Sequence, residues 1–192
     1  AKLKTMGQRA VAVHLDQRDP ESVAACAKSV GDEFGRVDIL VNNAAWNIGI
    51  PFPDLDALDA DLWYCIMETN LRGPYLLVRA LAPMLKANDL GHIVNISSIG
   101  GIGPASSSVA YSASKAGLIH LKRCLAVAMA PNVAVNCIAP GLVENTRMAA
   151  NVPEAIVAMA KREAVLGRVG QIDDIARQVL TFVTSHSISG QG

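Results

Sequence analysis

Four short runs of apolar, largely β-branched residues punctuate the chain: Val11 to Leu15, Ile39 to Val41, His92 to Ile96 and Val133 to Ile138. None alternates polar with apolar residues along its length, and such a run suits a strand covered on both faces, as in a parallel sheet. Segments with helical spacing separate the runs. Pro20-Glu21-Ser22 opens one where proline suits a first helical turn; Val23, Ala27 and Val30 continue it and Gly35 stops it. A second, about Leu58 to Leu85, carries Leu62, Ile66, Leu76, Leu77 and Leu81, with a kink expected at Gly73-Pro74. A third begins near Ser108, whose hydroxyl can cap it, and runs to Met129 with Leu118, Leu121 and Leu125 along its core stripe before Pro131 ends it. This alternation predicts an α/β fold of Rossmann-like type, a doubly wound parallel sheet with helices on both faces and right-handed crossovers, with residues 1–192 as one domain.

Composition narrows the function classes. With 51% hydrophobic and 18% charged residues the chain has ample apolar surface for a core, which excludes intrinsic disorder and an extended coiled coil. Seventeen basic side chains balance seventeen acidic ones, so no field favours phosphate backbones or anionic membranes, and a small neutral partner fits better than nucleic acid. Cys26, Cys65, Cys124 and Cys137 form no Cys-x-x-Cys pair, which suits neither structural zinc nor a disulfide framework. They read as small buried hydrophobes in a reducing compartment, and a cytoplasmic location without metal is expected. No apolar stretch approaches a membrane span and no charged-then-apolar leader opens the chain. His120, Cys124 and Val127 add a second stripe to the third helix, more than one sheet contact needs. A homo-oligomer, dimer or homotetramer, is therefore expected through the helices around residues 58–85 and 108–130.

In an open parallel sheet ligands bind beyond the carboxyl ends of the strands. Asn42-Asn43-Ala44-Ala45, Ser97-Ser98 and Ala139-Pro140-Gly141 stand at three such ends, all small or hydrogen-bonding. Each alone is ordinary turn chemistry; their coincidence at one edge marks a site. Tyr111 and Lys115, four apart, share one helix face. A phenol with a pKa of about 10 exchanges protons poorly at neutral pH, whereas a nearby cation lowers an acid by roughly 1–3 units. Lys115 is expected to supply that cation, making Tyr111 a general acid for a carbonyl oxygen or a base for the reverse oxidation.

Tyr111-x-x-x-Lys115, with Ser98 thirteen positions upstream, Asn42-Asn43-Ala44-Ala45 and Asn70-Leu71-x-Gly73 before it and Pro140-Gly141 after it, resembles the compact, single-domain branch of the short-chain dehydrogenase/reductases. The ordered match covers nearly the whole chain, and Gly167-Arg168-x-Gly170 followed by Asp174-Ile175-Ala176 resembles the segment that opens the family's penultimate helix. The resemblance implies an oxidoreductase that interconverts a secondary alcohol and a ketone with NAD or NADP. It implies that Tyr111 transfers the proton, that Lys115 lowers its pKa and bonds the nicotinamide ribose, and that Ser98 holds the substrate oxygen. Asn70 would kink its helix and hold a water linking Lys115 to solvent. Asp16 matches the family's adenine-contacting aspartate, with Gln17 beside it; Asn43, Ala44 and Ala45 would lie along the adenosine and ribose. Pro140, Gly141 and Val143 would lie near the carboxamide, with Thr146 close by.

Simpler roles stand beside these. Asp16 could cap the helix that follows, Ser106 to Ser108 form the loop and cap ahead of the catalytic helix, and Trp46 and Trp63 are packing residues unless Trp46, just past a strand end, reaches a substrate. The chain departs from the family at Ala45, where glycine is usual, and at Val143-Glu144-Asn145-Thr146, one residue longer than the usual spacing. It opens at Ala1-Lys2-Leu3-Lys4, which resembles the approach to the family's third strand, and stops at Ser189-Gly190-Gln191-Gly192, where the last would begin. The chain is therefore expected to be part of a longer polypeptide, without which Val11 to Leu15 would have no neighbour beside Ile39 to Val41. A noncatalytic cofactor-binding regulator or degenerate fragment, and a sugar-nucleotide epimerase or dehydratase, are the alternatives.

Overall fold

A computed structural model describes residues 2–104 and 107–192. In chain order its elements are α1 (Lys2–Thr5), α2 (Pro20–Phe34), β1 (Ile39–Asn42), α3 (Ala60–Met67), a π-helical turn (Glu68–Arg72), α4 (Gly73–Lys86), β2 (Gly91–Ile96), a 3-10 turn (Ile99–Gly101), α5 (Val109–Met129), β3 (Val133–Ile138), a second 3-10 turn (Ala149–Asn151), α6 (Glu154–Glu163) and α7 (Ile172–Val183). The capping logic holds at both long helices. The Asp19 carboxylate accepts the N–H groups of Glu21 and Ser22, and Gly35 closes α2 at φ +72°, a left-handed turn that costs glycine little. The Ser108 hydroxyl accepts the Tyr111 N–H and starts α5 where the sequence places it.

The strands lie in the order β1-β2-β3, all parallel, with Ile39 opposite His92 and Gly91 opposite Val133. Ile93, Val133 and Val135 pack against Val78, Leu81 and Leu85 of α4 and Leu125 and Met129 of α5. Val94 and Ile138 meet Phe182, Ile175 and Val179 of α7, so helices cover both faces. No helix among the described residues is long and apolar enough to cross a membrane.

Two expectations are corrected. Val11 to Leu15 forms no strand, and Val11 and Leu15 are exposed. A strand needs a neighbour for its ladder, and among the described residues nothing pairs with the outer edge of β1, whose Ile39 and Val41 remain 46% and 40% exposed. The segment instead leans on α2 through Arg9, which pairs with Glu33 at 2.8 Å and lies 4.9 Å from the Phe34 ring centre. The helix expected over residues 58–85 begins later, at Ala60, and is interrupted by the π turn. Pro74 has no N–H to close on the Asn70 carbonyl, and Gly73 donates five residues back, to Glu68. The expected kink is thus a widened turn centred on Asn70. The cysteines are all free, as expected, but only Cys137 is buried; Cys124 is exposed on the outer face of α5.

At the other edge of the sheet the end of the chain begins to pair with β3: Gly190 donates to the Val135 carbonyl at 2.8 Å and Cys137 donates to that of Gln191 at 2.9 Å. Lys122 of α5 is buried and donates to the Gly190 carbonyl at 2.9 Å.

Candidate active site

Beyond the carboxyl ends of β2 and β3, two serines do different work. The Ser97 N–H donates to the Ile138 carbonyl at 2.7 Å and its hydroxyl to the Lys115 carbonyl at 2.8 Å, which fastens the strand ends to α5. Ser98 is extended, its hydroxyl accepts the Gly100 N–H, and the 3-10 turn that follows lies directly on α5. A Cβ at Gly101 would stand 2.6 Å from the Lys115 carbonyl carbon, so only glycine allows this approach. The turn brings the Ser98 hydroxyl close enough to the Tyr111 phenol to influence its titration.

Tyr111 is 7% exposed and Lys115 is buried beside it, with Nζ 5.6 Å from the centre of the Tyr111 ring. The Lys115 ammonium donates to the Ile96 carbonyl at 2.8 Å. Burial pushes the phenol above its ordinary pKa, and the Ser98 hydroxyl acts in the opposite sense. This corrects the expected lowering by Lys115: loss of hydration outweighs the ammonium, which is aimed at a backbone carbonyl. Burial also brings Lys115 itself down to about 8, so its charge is conditional near neutrality. At neutral pH the phenol holds its proton, the state required of an acid that protonates a carbonyl oxygen.

Asn70 sits at the centre of the π turn with its side-chain amide committed to protein groups. Oδ1 accepts the Trp46 N–H at 2.8 Å, while Nδ2 donates to the Trp46 carbonyl at 2.9 Å and to Ser114 Oγ at 3.1 Å. Ser114 in turn donates to the Tyr111 carbonyl at 2.7 Å. The amide therefore ties the loop after β1 to the helix that carries Tyr111. Asn42 Nδ2 donates to Asn95 Oδ1 at 2.8 Å and joins the ends of β1 and β2.

The expected cofactor residues are held more loosely. Asp16 does not cap α2; its carboxylate accepts the Arg18 N–H and pairs with the Arg18 guanidinium at 2.8 Å, which lowers its pKa to about 2. Gln17 is buried and donates to the Thr69 carbonyl at 2.6 Å and to that of Ala44 at 3.4 Å. Asn43, Ala44 and Ala45 are exposed at the strand end. The Pro140 carbonyl accepts the Ile99 N–H at 2.9 Å, and the Ile99 side chain lies over Gly141. Val143 bridges to Gly170. The extra residue before Thr146 is absorbed at Asn145, which turns left-handed at φ +61°, a conformation asparagine tolerates. Thr146 Oγ1 donates to the Val143 carbonyl and caps the turn at Ala149, so its hydroxyl is already engaged. Ser108 caps as expected and Ser107 bonds Asn47, whereas Ser106 lies outside the described residues.

Sequence reasoning missed the clamp on the Trp46 backbone and the Glu144 cluster. Glu144 pairs with Lys161 of α6 at 2.6 Å and accepts from Gln171 at 2.9 Å, which holds its carboxyl below the usual range. These groups, with Arg168 and Asp174, line a cleft of about 430 Å³. A larger cleft, about 680 Å³ between Phe34 and Asp89, opens at the amino ends of the strands, away from Ser98 and Tyr111. No group of three metal-ligating side chains occurs among the described residues. The exposed small residues of 43–45 and 141, flanking a buried ammonium and a phenol–serine pair, fit the ribose and nicotinamide end of a dinucleotide.

Comparison with known proteins supplies relatives for this geometry. A family model described as enoyl-(acyl carrier protein) reductase matches residues 1–191. The chain is 36% identical over 189 residues to cis-4-hydroxycyclohexanecarboxylate dehydrogenase of Sinomonas cyclohexanicum, covering 97% of this chain and 74% of that protein. It is 36% identical over 176 residues to the 3-oxoacyl-[acyl-carrier-protein] reductase of Aquifex aeolicus, covering 91% and 69%. Among solved structures, the 3-oxoacyl-[acyl-carrier protein] reductase of Brucella melitensis superposes with a TM-score of 0.87 at 28% identity, covering 99% of this chain and 72% of that one.

Proposed function

The chain belongs to the short-chain dehydrogenase/reductase family and is an oxidoreductase, and from that premise we propose that it interconverts a secondary alcohol and a ketone with Tyr111 as the proton-transfer group. The observation that carries the reading is the grouping of the half-buried Ser98 with the buried Tyr111 and Lys115 at the carboxyl ends of the strands.

Members of this family use NAD(P), and the bound nicotinamide supplies or accepts the hydride. The protein's own share is to bind, orient and move one proton. Ser98 and Tyr111 present two hydroxyls to one substrate oxygen, which aligns the carbonyl and polarises it. As the oxygen gains charge, Tyr111 Oη gives up its proton; in the reverse direction the phenolate takes it from the alcohol. Lys115, one turn along the helix, stands where it can bond ribose hydroxyls and favour the phenolate as it forms. Its pKa near 8 leaves it charged in most molecules at neutral pH and able to return a proton to the phenol. Asn70 acts by positioning, since its amide fixes the loop after β1 to α5. Asn43, Ala44, Ala45, Gly141 and Val143 would line the dinucleotide, with Asp16 and Gln17 toward the adenine; Pro140 and Thr146 shape the loop between. The outer stripe of α5, with exposed Cys124 and Val127, supports a homo-oligomer of this single domain through its long helices.

A spectrophotometric screen of ketones and alcohols with NADH, NADPH and their oxidised forms tests the reading. Turnover with at least one pair, lost in Tyr111→Phe, is expected; turnover that survives Tyr111→Phe would overturn the assignment.

A further inference from the structure

We propose that Trp46 determines substrate choice, its indole forming a wall of the mouth above Ser98 and Tyr111 that favours apolar, ring-bearing ketones and alcohols over small acyclic ones. The proposal rests on the oxidoreductase reading and extends it to a substrate class.

Three observations converge on this side chain. First, its backbone is pinned on both sides: Asn70 takes the Trp46 N–H and bonds the Trp46 carbonyl. The same amide reaches Ser114, which bonds the Tyr111 carbonyl, so the Trp46 backbone is tied to the turn of α5 that carries the phenol. Second, the loop that continues from Trp46 is fastened to the approach of α5, because Ser107 Oγ donates to Asn47 Oδ1 at 2.6 Å and Ile50 donates to the Ser107 carbonyl at 2.7 Å. Trp46 is thus bracketed by two anchors, one before Tyr111 and one after it. Third, the indole remains 36% exposed despite this rigid mounting, and Ile48, Ile99 and Ile102 on the same two loops are also exposed.

A large aromatic side chain on a firmly held stretch of backbone, left partly in water, is a poor packing residue and a good recognition surface, since little backbone freedom is lost when a ligand covers it. The chemistry of the rim selects the ligand. Residues 43–53, 97–104, 107 and 108 contain no aspartate, glutamate, lysine, arginine or histidine. A substrate carrying a charge near its carbonyl would lose hydration there without meeting a counter-charge, whereas an alicyclic or fused-ring skeleton would cover the exposed apolar atoms. Trp46 acts here as a specificity residue, with proton transfer left to Tyr111.

The test compares wild type, Trp46→Ala and Trp46→Phe with 2-decalone, a fused-ring ketone, and 2-butanone, each with the reduced nicotinamide that supports turnover. Because the clamp uses only the Trp46 backbone, both variants retain it. Trp46→Ala should raise KM for 2-decalone about tenfold or more with kcat little changed, leave 2-butanone unaffected, and be largely rescued by phenylalanine. Equal losses on both ketones, or none on either, overturn the proposal. A second measurement does not depend on turnover. Trp63→Phe leaves Trp46 as the sole tryptophan, and its fluorescence is followed while 2-decalone is added to the full chain. A saturable change that 2-butanone does not produce supports the wall; an unchanged signal overturns it. If no ketone turns over but the fluorescence responds, the oxidoreductase reading fails and the Trp46 subsite stands.

Discussion

The two halves of the site are built differently. Around Tyr111, hydrogen bonds join four elements: the Asn70 amide of the π turn donates to Ser114 of α5, the Lys115 ammonium of α5 to the Ile96 carbonyl of β2, and Ser97, just after β2, to the Lys115 carbonyl through its hydroxyl and to the Ile138 carbonyl of β3 through its N–H. Across the sheet, the half expected to hold the dinucleotide is open. Asn43 to Ala45 are exposed, Asp16 pairs only with its near neighbour Arg18, and the outer edge of β1 carries no strand among the described residues. The contrast teaches that the machinery for moving a proton is rigid before anything binds, while the dinucleotide side depends on what lies against it. Hydrogen exchange should therefore be slow along α5 and β2 and fast over residues 8–18, and binding of cofactor should slow the second set far more than the first.

Substitutions sharpen this contrast. The largest effect belongs to Tyr111→Phe, which should fold, retain cofactor affinity and lose on the order of 100-fold or more in turnover, the usual scale for a missing general acid. Circular dichroism and steady-state rates on one sample would check it; a variant that unfolds would mean the phenol holds the fold together instead.

Lys115→Met probes the rigid half through pH. The folded pKa is lowered from 10.5 to about 8, so below about pH 8 the ammonium is charged in both states and its burial penalty is fully present. Between those two values the unfolded chain holds more protons and the penalty fades. Wild-type stability should therefore rise relative to the variant by about 3 kcal/mol from pH 7 to pH 10.5. Urea unfolding at several pH values reads this directly, and a difference that stays flat would show that Lys115 is neutral throughout.

Asn70→Ala leaves the Trp46 N–H and carbonyl and the Ser114 hydroxyl each short of a bond, and a loss of about 2–3 kcal/mol is expected in the same assay. A loss under about 0.5 kcal/mol would mean the loop does not need its clamp. The smallest effect lies in the open half. Arg18→Ala should let the Asp16 carboxyl rise from about 2 toward its ordinary value, visible as a displaced titration in carboxylate NMR, with little effect on folding.

These contrasts explain which features were legible in the sequence. Pro20, Gly35 and Ser108 act on their immediate surroundings, and the helices they delimit fall where the sequence puts them, although the cap of α2 is Asp19 and not the Asp16 that the sequence offered. The runs at Ile39, His92 and Val133 became strands because each found a partner. Val11 to Leu15 has the same composition and, among the described residues, no neighbour to receive its ladder, a long-range requirement that no local pattern encodes. Tyr111 and Lys115 were readable as neighbours from their spacing on a helix, and Ser98 joined them only through the family resemblance, but the sense of the phenol's pKa was not legible. That depends on how much water burial removes, which is decided by packing against residues distant in sequence such as Ile66, Leu58 and Trp63. The role of Asn70 was half legible: the kink follows from Pro74 four residues on, whereas the grip on Trp46 spans 24 positions in sequence.

The π turn also bears on how the chain can vary in length. It accommodates one residue more than a regular helix would between α3 and α4, and each residue rotates a helix by about 100°. A single deletion within 68–72 would close the turn into a regular helix, leaving Leu77, Val78 and Leu81 on their face but removing the widening that aims Asn70 at Trp46, whereas exchanges at exposed Arg72 would matter far less. Reading frames that add or drop one codon at this point should be far rarer among working copies than changes of the letters themselves.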